Sequence, residues 1–171
     1  MSTLFKDLIR NQYLAAFRTL KHCIDGCPDE SWHQAVCNHS FSQSVFHSLF
    51  FADVYLGADP QAVEDQDFHR QHADVFAGYE EWEPSIPSKQ YKREFIVSYL
   101  DHCQEKAKFV IGQFTNENLE QRSGFDWIDG TVAEVHVYNI RHIQHHAAQL
   151  SLRLRLDHKV EVPWVKSGWE N

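Results

Sequence analysis

TVAEVHVYNIRHIQHHAAQLSLRLRL, residues 131–156, is the stretch whose reading decides the fold. Thr131-Val132-Ala133-Glu134 is a capping box, a hydroxyl at the N-cap answered by an acid three residues on. No Gly or Pro follows before Leu156, so the spacing predicts one long helix. Ile140, Ile143, Ala147, Leu150 and Leu154 recur at helical intervals as an apolar stripe. Val135, Tyr138, His142, His146 and Gln149 form a second stripe beside it. Each helical residue turns by about 100° and rises by about 1.5 Å, so His142 and His146 lie one turn apart on one face. Two imidazoles in that relation can close on one divalent cation. His145 is rotated about 100° from His146 and faces outward or sideways.

Three further helices are predicted upstream. Leu4, Phe5, Leu8, Ile9, Tyr13, Phe17, Leu20 and Ile24 give helical spacing over about 3–23, ended by Gly26 and Pro28. Ser40 and Gln43 form another capping box, opening a helix to about Gly57. Ser88 is the expected N-cap of a helix over 89–114. Residues 58–87 are acidic and polar with interleaved aromatics, and read as a long crossover with one or two short helices. Residues 115–129 read as a loop with a turn or short hairpin. The tail from 158 carries Trp164 and Trp169, which are expected to dock on the helices. The fold class is therefore all-α, a four-helix bundle with a long crossover between helices two and three. Residues 1–171 read as a single domain, long enough to bury roughly 70% of the unfolded surface.

Composition narrows the function. Acidic residues outnumber basic ones 24 to 16, a net charge of −8. That balance disfavours a phosphate backbone, so no nucleic-acid partner is expected. No apolar run is long enough for a membrane span, and Met1 to Asp7 lacks the pattern of a signal peptide. A cytoplasmic protein is the expectation, with Cys23, Cys27, Cys37 and Cys103 as reduced thiols. Cys23 and Cys27, with His22, His33, Cys37 or His39, offer zinc donors whose spacing matches no standard finger. No charge pattern around these cysteines favours a redox role.

A pair of histidines needs a third ligand. His47 has Phe50, Phe51 and Val54 at i+3, i+4 and i+7, which predicts that it points inward, where an imidazole needs a partner. His39, His102 and His136 are alternatives. His102 sits beside Asp101 on the expected polar face, and His136 is about 120° from His142. Three neutral imidazoles with an open position describe a catalytic site of the zinc type, and nickel or iron accept the same donors. Such a metal lowers the pKa of a bound water or thiol.

The order of helices, a histidine in the middle of helix two and His142-Ile143-Gln144-His145-His146-Ala147-Ala148-Gln149 resemble the DinB/YfiT-like superfamily of metal-dependent four-helix-bundle proteins. The family's last motif often reads H-x2-H-H-R-G-Q, and its helix-two motif resembles His47-Ser48-Leu49-Phe50-Phe51-Ala52-Asp53. Ala147 and Ala148 stand where Arg and Gly are usual, with Ala148 still small enough for close helix approach. The resemblance implies that His47, His142 and His146 bind a divalent metal, zinc or nickel, in a protein that is frequently a homodimer. It also implies a thiol-S-transferase using a low-molecular-weight thiol. In that reading a thiol activated on the metal attacks an electrophile, and Tyr138 and Asp53 orient substrate or ligands. The acidic surface argues mildly against a strongly anionic thiol. The alternatives are a metal-dependent hydrolase, a non-enzymatic, stress-related metal-binding dimer and a metal-free bundle whose histidines are satisfied by hydrogen bonds.

Overall fold

The computed structural model describes residues 3–36, 38–82 and 88–168. Cys37, Trp169 and the Pro84-Ser85-Ile86-Pro87 end of the crossover lie outside the described residues. Within them the regular structure is almost wholly helical. The helices are α1 (Thr3–Gly26), α2 (Phe41–Tyr55), α3 (Asp67–Gln71), α4 (Ala73–Phe76), α5 (Arg93–Gly112), α6 (Asn116–Glu120) and α7 (Val132–His158). One two-residue antiparallel pairing, Ala35–Val36 with His39–Ser40, precedes α2. No helix among the described residues is long and apolar enough to cross a membrane.

Helices α1, α2 and α7 form where the apolar spacing and caps predict them. Both capping boxes close: Ser40 and Gln43 at α2, Thr131 and Glu134 at α7. Each satisfies two backbone or hydroxyl donors that a helix start leaves orphaned. α7 ends at Lys159, which adopts a left-handed φ of 57°. Helix α1 packs on α5 and α7, and α2 packs on the same two. Their shared core contains Tyr13, Phe17 and Leu20 from α1, Leu49 and Phe50 from α2, Tyr99 and Leu100 from α5, and Ile143 and Leu150 from α7. Burying a side chain of this size contributes about 1.5–3 kcal/mol, so these four faces dominate the packing.

Three expectations change. Ser88 does not cap α5: its backbone N–H and its hydroxyl both donate to Glu80, at 2.9 Å each. The chain stays extended to Lys92, and α5 begins at Arg93 without a side-chain cap. Those extended residues let Tyr91 stack on Phe46, with centroids 3.8 Å apart, and accept a hydrogen bond from Trp32. Residues 116–120 form α6, capped by Thr115, rather than a hairpin arm; only an isolated bridge joins Arg122 to Thr131. The tail docks through Val160, Val162 and its backbone, not through Trp164, which is 81% exposed. Gly168 donates to the Asn11 carbonyl, and a Cβ there would fall 2.4 Å from that of Leu14.

The described part of the crossover holds α3, α4 and two single 3-10 turns, Pro60–Val63 and Glu80–Trp82. Its aromatics pack inward: Phe68 stacks on Tyr99, Phe76 on His69, and Trp82 meets Phe50 and Phe51. The segment thus covers α2 and α5 and brings its last turn against the face of α2 that carries His47.

Candidate metal centre

His47 on α2 and His142 and His146 on α7 come together where these two helices pack. One ligand nitrogen from each can be chosen so that all three lie within 4.8 Å of one another. Ring centroids are 4.6 Å apart for His142 and His146, 4.8 Å for His47 and His146, and 5.7 Å for His47 and His142. Among the described residues this is the group of His, Cys, Asp or Glu side chains able to hold a metal ion.

The site sits at the edge of the packed core. The side chain of His47 is one-third exposed, whereas Phe50 and Val54 beside it are buried, so the shared face points His47 sideways rather than fully inward. Phe51 lies beside both His47 and His142, at 4.8 and 5.9 Å from their rings. Burial, then the neighbouring His146 and His47, push the pKa of His142 down to about 3. Burial, then His47 and His145, push that of His146 down to about 4. Both imidazoles are therefore neutral near pH 7, the form that ligates a metal. Nδ1 of His142 is buried without a hydrogen-bond partner. Leaving such an atom unsatisfied costs about 1–3 kcal/mol, so a cationic acceptor of its lone pair would stabilise the site. The donor set, the neutral rings and the orphaned nitrogen all fit a metal ion.

Two other groups touch the site. Nδ1 of His47 lies 2.7 Å from Oε2 of Glu81, in the Glu80–Trp82 turn, whose side chain is only 4% exposed. Beside His142 a shallow groove, open to solvent, runs along one face of α7 past Tyr138, Arg141, Gln144, His145 and Ala148. Arg141 places a cation there.

The remaining sequence candidates fall elsewhere. His145 is exposed and bonds Gln149 at 3.0 Å, as its rotation predicts. His39 is exposed on the hairpin. His136 is buried against Phe114 and Tyr13, with Nδ1 3.0 Å from the Tyr13 hydroxyl. Cys23 and Cys27 join no metal-binding group among the described residues, and burial pushes their pKa values up to about 12 and about 11. It is Ala147, fully buried and accepting from Cys23 Sγ, that permits the close helix approach, while Ala148 is exposed.

Asp53 does not orient the three histidines. It is fully buried and accepts from His69 at 2.9 Å, Tyr99 at 3.0 Å and Lys106 at 2.5 Å. His102, expected on a polar face, stacks on Phe68, donates to Gln66 and lies 3.7 Å from Asp53. Burial alone would raise the pKa of Asp53. The nearby His102, the hydrogen bond from His69 and the charge of Lys106 outweigh that and hold it well below the usual carboxylate range. Tyr138 stays near the centre: its ring is edge-on to Tyr55, which in turn faces His142.

No family model, curated protein or solved structure matches this chain.

Proposed function

We propose that the chain is a divalent-metal-binding protein of the DinB/YfiT-like kind, a four-helix bundle crossed over between its second and third long helices, acting as a metal-dependent thiol-S-transferase. The observation that carries this reading is the convergence of three imidazole nitrogens within 4.8 Å, from two helices far apart in sequence. His47, His142 and His146 would hold the ion, zinc or nickel. A divalent ion on three neutral imidazoles with an open position lowers the pKa of a thiol or water that binds there.

The chain's own residues supply the surroundings. Phe51 and Tyr55 present aromatic faces to His142 and limit water on that side. Arg141, exposed on the α7 surface beside His142, can neutralise an anionic group on a substrate. These features favour an enzyme over a purely structural metal site, which would use a fourth protein ligand to close the coordination sphere. A hydrolase would use the same residues with water in place of the thiol. A homodimer has a surface to use: Leu152 and Leu156, one turn apart on α7, are 53% and 72% exposed.

The test is a panel of low-molecular-weight thiols with an electrophilic aromatic or epoxide acceptor, run with zinc- or nickel-loaded protein. Metal-dependent consumption of thiol, lost in His146→Ala, is the expected result. Metal binding without turnover of any thiol, alongside ester or amide cleavage, would replace the transferase by the hydrolase.

A further inference from the structure

Glu81 belongs to the crossover, yet the one protein group it bonds among the described residues is His47. Its Oε2 lies 2.7 Å from His47 Nδ1, its side chain is 4% exposed, and its Oε1 is buried with no partner. A carboxylate placed there merely to hold the segment would be expected to collect several donors, as Glu80 next to it does. Glu80 accepts from the Ser88 backbone and hydroxyl and from the Lys89 backbone. Burying a carboxylate on a single bond is costly, and packing alone would favour an apolar residue.

The backbone is bent to place it. Gly78 has φ of 77° and Tyr79 has φ of 41°, two successive left-handed residues immediately before the Glu80–Trp82 turn. A tyrosine rarely adopts that region, and such conformations persist where surrounding contacts enforce them. Here Trp82 enforces the turn by packing on Phe50, Phe51 and Trp127, and Lys89 does so by donating to the Val75 and Ala77 carbonyls.

We infer that Glu81 is a positioning residue of the metal centre: it fixes the ring and tautomer of His47, and thereby makes the crossover a working part of the site. This rests on the metal-binding reading above. A carboxylate oxygen only accepts, so Nδ1 of His47 carries the proton. Nε2 is then the nitrogen left with a lone pair for the metal. The negative charge behind the ring also raises the donor strength of Nε2, as in carboxylate–histidine–metal arrangements. Glu81 itself does not join the group of side chains that converge on one point, so it acts through His47 and not as a fourth ligand.

The experiment measures Zn²⁺ affinity of the full chain by competition with a chromophoric chelator, and the visible spectrum of the Co²⁺-loaded protein. The variants are Glu81→Gln, Glu81→Leu and, as control, Glu80→Gln. Glu81→Leu is expected to weaken Zn²⁺ binding about 10–100-fold. Glu81→Gln, which keeps an acceptor oxygen but no charge, should fall between it and wild type and shift the Co²⁺ bands. Glu80→Gln should lower thermal stability and leave affinity and spectrum unchanged. Equal affinity in wild type and both Glu81 variants would overturn the inference while leaving the three-histidine site standing. An equal loss in Glu80→Gln would also overturn it, by showing that only placement of the segment matters. Absence of Zn²⁺ binding in wild type would instead remove the metal-binding reading itself.

Discussion

Two polar clusters, each built on histidines, lie on α2, and they differ in every respect that decides what a cluster is for. Around Asp53 a buried carboxylate meets His69, Tyr99 and Lys106, with His102 and Gln66 beside it. Negative and positive charges balance, and donors face acceptors. Around His142 three imidazoles converge, two of them held neutral, and one buried nitrogen has no partner. The carboxylate nearest them, Glu81, bonds His47 alone. The first cluster pairs its charges within itself. The second leaves a lone pair over. The lesson is that the number of histidines at a place says little; the charge balance and the orphaned lone pair say more.

That contrast can be broken most sharply by removing one member of each cluster. Asp53→Ala leaves Lys106 and His69 without their carboxylate in the interior and is expected to cost about 3–5 kcal/mol in urea unfolding. His142→Ala, measured without metal, removes an unsatisfied group and should cost about 1 kcal/mol. Similar costs for the two would erase the distinction. Metal should reverse the ranking of importance. Zinc at a hundredfold excess over its Kd should stabilise wild type by about 2.7 kcal/mol and His146→Ala by nothing measurable. A shift of equal size in both, read by thermal unfolding, would place the ion elsewhere.

Acid separates the clusters by window. His136, His142 and His146 have pKa values lowered to about 4, about 3 and about 4 from 6.5, burial being the leading cause. The unfolded chain then takes up protons near pH 6.5 while the folded chain does not. Stability should therefore be insensitive to these groups above 6.5 and fall as pH drops towards 4. The slope is at most about 1.4 kcal/mol per pH unit for each histidine. Asp53 is depressed instead, so its contribution is whole above its unfolded pKa near 3.8 and is lost only below it. Urea midpoints between pH 7 and 4.5 test this, with His136→Leu expected to give a shallower decline. An unchanged slope in that variant would contradict the assignment. A further, smaller effect belongs to the helix that carries His142 and His146. Thr131→Ala should cost about 1 kcal/mol by removing the cap of α7 and leave metal affinity untouched, because the cap lies well before His142.

What could be read from the sequence follows local rules. The capping boxes at Ser40 and Thr131 and the i,i+4 pair His142 and His146 depend on residues within a turn of each other, and all three appear in the structure. His47 was legible as a partner because its helix carries phenylalanines on the same face, although the structure leaves it one-third exposed. Ser88 misled because a good capping residue was taken by Glu80, a contact that no local pattern announces. Glu81 and the Asp53 cluster were invisible for the same reason. Their partners lie 34 residues away for Glu81 and 53 for Lys106, and in both cases reach across irregular or separate elements. The sole hint in the crossover was its aromatics, which do pack inward.

The most direct measurement is bound divalent metal per chain, by elemental analysis, in wild type and in His47→Ala, His142→Ala, His146→Ala and His145→Ala. One metal per chain in wild type and in His145→Ala, and loss of it in the other three, is the expected result. Metal retained in all three of those variants, or absent from wild type after equilibration with zinc and nickel, would contradict it.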